Sequence, residues 1–420
     1  MRISLIFLLV LAFTFSCNKQ ETLDPVNPNP NNPVNKNLPP TKFDLKYTFY
    51  GDNVELEWTY ATDPEGSQVD YFVYINDKEV KLTSRFNFFI FSGLGFNQAI
   101  KGKVVAKDSQ GNSTVVLFSG TTEVTQAYAS VPDRNFESDL IDRKIDSNPV
   151  NDGKILISDA RQVRGYNSSA SQQIVYKITN LKGIESFANL NYLYIQYLDI
   201  TNLDISNLTL LNTCRVVNNS KLTSLILPKN SPLEILYCNN NGLTNIDLSN
   251  FSNLIELNLS YNKLQKLDIS KNPKLKFLDC ALNDIKGTFD ISNNSQLTFF
   301  YVSGNFGITN VIFSKGTSFK DIDIGYNKIT KIDVTNYRSL LSLSISNNDI
   351  SELDITKNDS LVTLFCQKTK IAKLDVTRNI GLTTLVTSSE YLKTICVNNI
   401  DRAKNSGWDV KDYSIFKICN

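Results

Sequence analysis

The segments LEILYCNNNGLTNIDLS at residues 233–249, LIELNLSYNKLQKLDIS at 254–270 and LLSLSISNNDISELDIT at 340–356 follow one pattern. Units of this kind begin at Leu190, Leu211, Leu233, Leu254, Leu275, Leu297, Phe319, Leu340, Leu361 and Leu382, always 21 or 22 residues apart. A fixed period of this length means that one structural unit is stacked many times. In each unit the residues three and five after the first Leu are apolar and those two and four after it are mixed, as in a short strand with one face buried. One unit has no neighbour against which to bury its apolar face, so the array must be long and its strands must form a parallel sheet. Asn219, Asn241, Asn262, Asn283, Asn305, Asn327 and Asn348 share one place in the period. An inward amide there can donate to and accept from the backbone of the turn leaving the strand.

The shared core, L-x-x-L-x-L-x-x-N-x-L, is the leucine-rich repeat signature. It assigns residues 190–395 to a solenoid. Cys238, Cys280 and Cys366 replace an inward aliphatic residue, and Cys214 takes the neighbouring inward position, which suits small buried thiols. Cys396 and Cys419 lie beyond the repeats, and a disulfide between them would staple a C-terminal cap at 396–420. A second column, Asp204, Asp247, Asp268, Asp290, Asp333, Asp354 and Asp375, lies on the return segment. Its carboxylates need compensation by lysines, turn amides or calcium. Ser260 is expected to face outward.

The outward strand positions supply the candidate ligand-binding residues: Tyr192, Tyr194, Arg215, Tyr237, Glu256, Phe277, Asp279, Phe299, Tyr301, Asp323 and Phe365. Large aromatic rings in a solvent-facing row suggest a contact surface. A protein or a polysaccharide at the cell surface could use it, since sugar rings stack on Tyr and Phe. Asp279 and Asp323 lie two units apart, near the carboxylate spacing of inverting glycosidases. A flat sheet is expected to give neither a raised pKa nor a pocket, so no catalytic residue is assigned.

At the N-terminus, Arg2 precedes the apolar run Ile3 to Phe15 and then Ser16-Cys17, which reads as a signal peptide over residues 1–16. The junction resembles the lipobox of bacterial lipoproteins, with Thr14 and Phe15 departing from it. The resemblance implies lipidation of Cys17 and an outer-membrane, cell-surface location; the alternative is a cut before an ordinary cysteine. Residues 17–40, rich in Asn and Pro, form a tether. Residues 41–125 alternate β-rich runs with turns, as a β-sandwich does, with Trp58 as a core aromatic. The stretch Val104 to Ser113 resembles fibronectin type III modules. The fold class is therefore mainly β: an immunoglobulin- or fibronectin type III-like sandwich followed by a leucine-rich repeat solenoid.

Residues 126–189 are expected to form an N-terminal cap. Within it, Asp146, Asn148, Asp152 and Asp159 resemble a degenerate calcium loop and are the candidate metal ligands. The order P-D-x-N-F (132–136), D-G-K-I (152–155) and then L-x-x-L-D-I-S-x-N coils resembles leucine-rich repeat lipoproteins of the Bacteroidetes over residues 131–395. That resemblance implies adhesion or partner capture, with no catalytic residues. Composition agrees. The chain has no histidine, which removes Ser-His and Cys-His nucleophiles and His-ligated zinc. Its formal net charge of +1 gives no electrostatic reason to seek nucleic acid. No cofactor is implied beyond a structural calcium, and membrane contact is expected through the lipid anchor alone.

Overall fold

The computed structural model describes residues 37–80, 87–123, 127–169, 177–316 and 318–419. Cys17, the export segment and most of the tether lie outside the described residues.

Two antiparallel sheets form the N-terminal part. Leu45–Tyr50, Asn53–Trp58 and Phe88–Phe91 make one. Lys78–Val80, Asp70–Ile75, Ala99–Lys107 and Ser113–Thr121 make the other. Alternation along Asn53–Trp58 sends Val54, Leu56 and Trp58 inward, where they meet Val73, Ile75, Val104 and Phe118 from the second sheet. Glu55 points the other way and reaches the solenoid's first segments. It accepts from Asn189 and pairs with Arg164 at 3.5 Å, while the Arg164 guanidinium lies 3.3 Å from the Phe88 ring centre.

Beyond the cap helix Arg134–Asp142, the chain winds into a solenoid whose main sheet has eleven parallel strands. The repeat units supply ten of them. The first, Gly165–Ser169, pairs in register with Tyr192–Gln196 and comes from the segment read as cap. It buries Tyr166 and Ser168 where other coils bury mostly aliphatic residues or Cys, so the repeat signature does not register there. Leu193, Cys214, Leu236, Leu257, Leu278, Phe300, Ile322, Leu343, Leu364 and Leu385 stack in one column, all 0% exposed. Each such burial is worth about 1.5–3 kcal/mol for a large apolar side chain.

The asparagine column joins neighbouring coils. Asn262 donates through Nδ2 to Cys238 O (2.8 Å) in the preceding coil and to Leu259 O (3.0 Å) in its own, and accepts at Oδ1 from Leu243 N (3.1 Å). Asn241, Asn283, Asn305 and Asn348 repeat this arrangement. A second ladder, not anticipated from the sequence, runs along the return side. Asn272, Asn294, Asn358 and Asn379 each donate to two carbonyls of the coil before. The aspartate column is settled by turn amides: Oδ1 of all seven accepts from the N–H two residues on, at 2.8–3.0 Å. The Ser249 and Thr356 hydroxyls, followed by the turn amides, hold the Asp247 and Asp354 carboxyls below the usual range, and the Ser270 amide, followed by its hydroxyl, does so for Asp268.

Ser260 does not face outward. It is 5% exposed, its hydroxyl donates to Asn258 Oδ1 at 2.7 Å, and its carbonyl accepts from Asn240 N. The strand ends at Asn258, so alternation has already given way to the turn. The four free thiols among the described residues are buried, and burial pushes Cys214 and Cys366 up to about 12. Cys396 and Cys419 are disulfide-bonded across 23 residues. Phe416–Lys417 pairs with the Thr394–Cys396 strand, and Asp409 bridges to Val386, so the C-terminal segment adds a last layer at the end of the stack.

Asn262→Leu should cost about 1–3 kcal/mol, because it strands backbone groups of two coils in the interior. Lys263→Ala, on the exposed next position, should cost under about 0.5 kcal/mol. Chemical denaturation of both variants checks this, and equal costs would mean that the ladder does not bear on stability.

Candidate functional site

The outward strand positions fall into two columns. In one, Tyr194, Arg215, Tyr237, Asn258, Asp279, Tyr301, Asp323, Ser344 and Phe365 are successive partners in register. In the other, Glu256, Phe277, Phe299 and Asp321 follow one another. The sheet thus brings four rings together. Phe277 lies 6.4 Å from Tyr237, 6.4 Å from Phe299 and 5.8 Å from Tyr301. Rings at these separations attract beyond the area they bury. Phe299 is 39% exposed, whereas the other three are half-buried by one another.

The polar residues are set around the rings. The Tyr237 hydroxyl donates to Glu256 Oε2 at 2.5 Å, and the Tyr301 hydroxyl to Asp321 Oδ2 at 3.1 Å. Burial first, then these carboxylates, push both phenols up, so they stay protonated donors. Arg215 stacks its guanidinium 4.6 Å from the Tyr237 ring centre. Asp279 and Asp323 sit on either side of Tyr301. Asp279 departs from the flat-sheet expectation: burial first, and the Asp323 charge later, raise its carboxyl above the ordinary value. Burial likewise raises Asp321. Rings of neighbouring coils stand beside both: Tyr301 is the register partner of Asp279, and Phe299 that of Asp321. Tyr192 and Phe365 stand apart from the cluster, at its two ends along the sheet.

A further row of large residues escaped the sequence reading. Tyr197, Tyr261, Leu282 and Tyr326 occupy the turn position that leaves each strand, with φ between 52° and 58°, and are 38–65% exposed. In other coils the same position holds Asn218, Asn240 or Asn347. Asn tolerates the left-handed conformation, whereas a bulky residue there is uncommon. Tyr261, Leu282 and Tyr326 donate their N–H to a carbonyl of the next coil. Phe306, also at positive φ, meets Tyr326 at 6.5 Å. The only signal in the sequence is an aromatic immediately before the repeat's Asn, as in Tyr261-Asn262 and Tyr326-Asn327.

The cap loop differs from a calcium loop. Asp146, Asn148, Asp152 and Asp159 are neighbours, but they bond within the loop. Asn148 N donates to Asp146, Asn148 Nδ2 to Asp152, and Ser147 N to Asp159. At its centre sits the carboxylate of Glu137, a residue the sequence reading did not single out. It is 0% exposed and accepts from the amides of Asp152, Gly153 and Lys154. Amide hydrogens converging on an anion are the reverse of a calcium site, where oxygens converge on a cation. Among the described residues, no three Asp, Glu, Cys or His side chains gather as a metal site.

No protein-family model matches the chain, and no curated protein is similar to it. Among solved structures, it resembles leucine-rich repeat proteins. The functional domain of InlJ from Listeria monocytogenes, described as including a cysteine ladder, is 26% identical with a TM-score of 0.47. The match covers 65% of this chain and 64% of that one, so the chain spans just under two thirds of its length. The leucine-rich repeat domain of APL1B is 18% identical with a TM-score of 0.43, over 59% of this chain and 76% of that one.

Asp279→Asn removes a half-buried charge yet keeps the acceptor for Ala281 N, which Asp279 Oδ1 takes at 3.1 Å. A carboxyl raised by folding gives stability that is fully present below its unfolded pKa and lost as pH rises through the folded value. The variant should therefore melt above the wild type at pH 7, with the gap closing near pH ~4. Calorimetry at both pH values checks this; a lower melting temperature at pH 7 would show that the site welcomes the charge.

Proposed function

We propose that this chain is an exported, lipid-anchored surface protein that binds a macromolecular partner through the strand face of its leucine-rich repeats and performs no catalysis. The observation that carries this reading is the ring cluster Tyr237, Phe277, Phe299 and Tyr301. Four large apolar side chains sit together on the solvent side of a rigid sheet, where polar residues would serve stability equally well. Rigid aromatics give contact area at low entropic cost, and they are common binding hot spots. The C-terminal segment stacks at the far end of the solenoid, so it leaves the rings uncovered.

The other parts fit around that face. The double sheet near the N-terminus reads as an immunoglobulin- or fibronectin type III-like spacer at 41–125, behind the 17–40 tether. The solenoid would then stand away from a membrane to which Cys17 is anchored. If Cys17 carries lipid, Cys17→Ala should release the protein from membranes of its native host and lower the mass of the mature chain by that of the acyl groups. Unchanged membrane association and mass would refute the anchor.

An array of surface proteins and glycans supplies the ligand. Against it, Tyr237→Ala and Tyr301→Ala should each weaken binding by about 2 kcal/mol, roughly thirtyfold, with folding intact. A polysaccharide ligand would tolerate Tyr→Phe at both positions but not ring removal. Undiminished binding by the alanine double variant would move the contact surface elsewhere.

A further inference from the structure

The strand face is unevenly charged. Glu256, Asp279, Asp321 and Asp323 all project from its ring-bearing stretch, while Arg215 stands at one end, already stacked on Tyr237. Among the described residues, no Lys or Arg forms an ion pair with any of the four carboxylates. Asp321 and Asp323 are alternate residues of one strand and share a face. Asp279 approaches from the opposite side of Tyr301, and Phe277 and Phe299 close the remaining side. Three carboxylates therefore surround one phenol ring, beside two further rings, with no cation of the chain's own among them.

We propose that Asp279, Asp321 and Asp323, arranged around Tyr301 and bordered by Phe277 and Phe299, seat a cationic side chain, arginine or lysine, of a protein partner. The inference rests on the strand-face reading above and names the chemistry of what binds there. Charge complementarity carries it. A cation placed over the ring would meet the aromatic face and the flanking carboxylates together, and a guanidinium suits both because it is planar, weakly hydrated and able to bond two acceptors at once. The protein makes half of this arrangement with its own Arg215, whose guanidinium lies 4.6 Å over the Tyr237 ring centre. Around Tyr301 the ring and the acids are present and the cation is to be brought by the partner. The raised carboxyls of Asp279 and Asp321 agree with this, because burial beside Asp323 is unfavourable until an opposite charge arrives. A neutral polysaccharide would relieve none of that repulsion.

The test uses the full chain and one peptide frame, acetyl-Gly-Phe-Gly-X-Gly-X-Gly-Phe-Gly-amide, with X as Arg, Lys, Gln or Glu. Binding is read by fluorescence anisotropy at about 50 and 500 mM NaCl, which brackets strong and weak screening. The Arg and Lys peptides should bind at least about tenfold more tightly than the Gln and Glu peptides, and more weakly at high salt. The Asp279→Asn/Asp321→Asn/Asp323→Asn variant, verified as folded by its melting curve, should lose that preference. Tyr237→Ala/Tyr301→Ala should lose binding of every peptide. Loss in the ring variant with full Arg-peptide binding in the neutralised variant would overturn the cation seat and leave the strand-face reading intact. Full binding by both variants would overturn both. Equal binding of Gln and Arg peptides by the wild type, or binding of none, would also refute the cation seat.

Discussion

The structure depends on satisfying a stacked backbone. Coils laid at strand spacing bury amides and carbonyls on every turn, and a buried unpaired group costs about as much as the hydrogen bond it lacks. On the strand side the sheet pairs them directly. At the turns no strand continues, and there Asn241, Asn262, Asn283, Asn305 and Asn348 take over, each bonding its own coil and the previous one. On the return side, Asn272, Asn294, Asn358 and Asn379 do the same work. Because these ladders fix the coil-to-coil register, residues far apart in sequence become fixed neighbours. Tyr237, Phe277 and Tyr301 form one patch only because of that registration.

That dependence explains what could be read from the chain. The period, the inward Leu column and the first Asn ladder were legible because they repeat the same residue at the same place. The first strand, Gly165–Ser169, was not, since Tyr166 and Ser168 bury well without resembling Leu. Nor was the second ladder, whose Asn272, Asn294, Asn358 and Asn379 look like ordinary polar return residues until the carbonyls they serve are seen. Strand alternation places Ser260 outward only when it is carried two residues past Asn258, where the strand ends. At the site, the identity of the outward residues followed from register alone. The partial burial of Asp279 did not, because Tyr301, its partner in register, lies in the next coil. In the cap loop, the Asp and Asn spacing is shared by loops that bind cations and loops that wrap an anion, and nothing in that spacing points to Glu137 at its centre.

The site combines groups that gain little stability from being together. The rings expose apolar area, and the acids around them are half-buried without a counter-ion. Such combinations are typical of surfaces kept for contact rather than for folding. The solenoid can carry them because its stability resides in the inward columns and the ladders, which the outward residues do not touch.

The asparagine bonds also have a direction. Each ladder Asn reaches back to the coil that precedes it: Asn262 to Cys238 and Leu243, Asn294 to Ile269, Asn379 to Ile355. The turn groups of a coil, Cys238 O and Leu243 N among them, are thus paired only once the following coil is laid down, so each coil offers the next its partners. A chain emerging N-terminus first can therefore lay down its turns one after another on the Gly165–Ser169 strand, with the Cys396–Cys419 bond closing the stack once the last residues arrive. Assembly in that order matches the order in which a ribosome delivers a polypeptide.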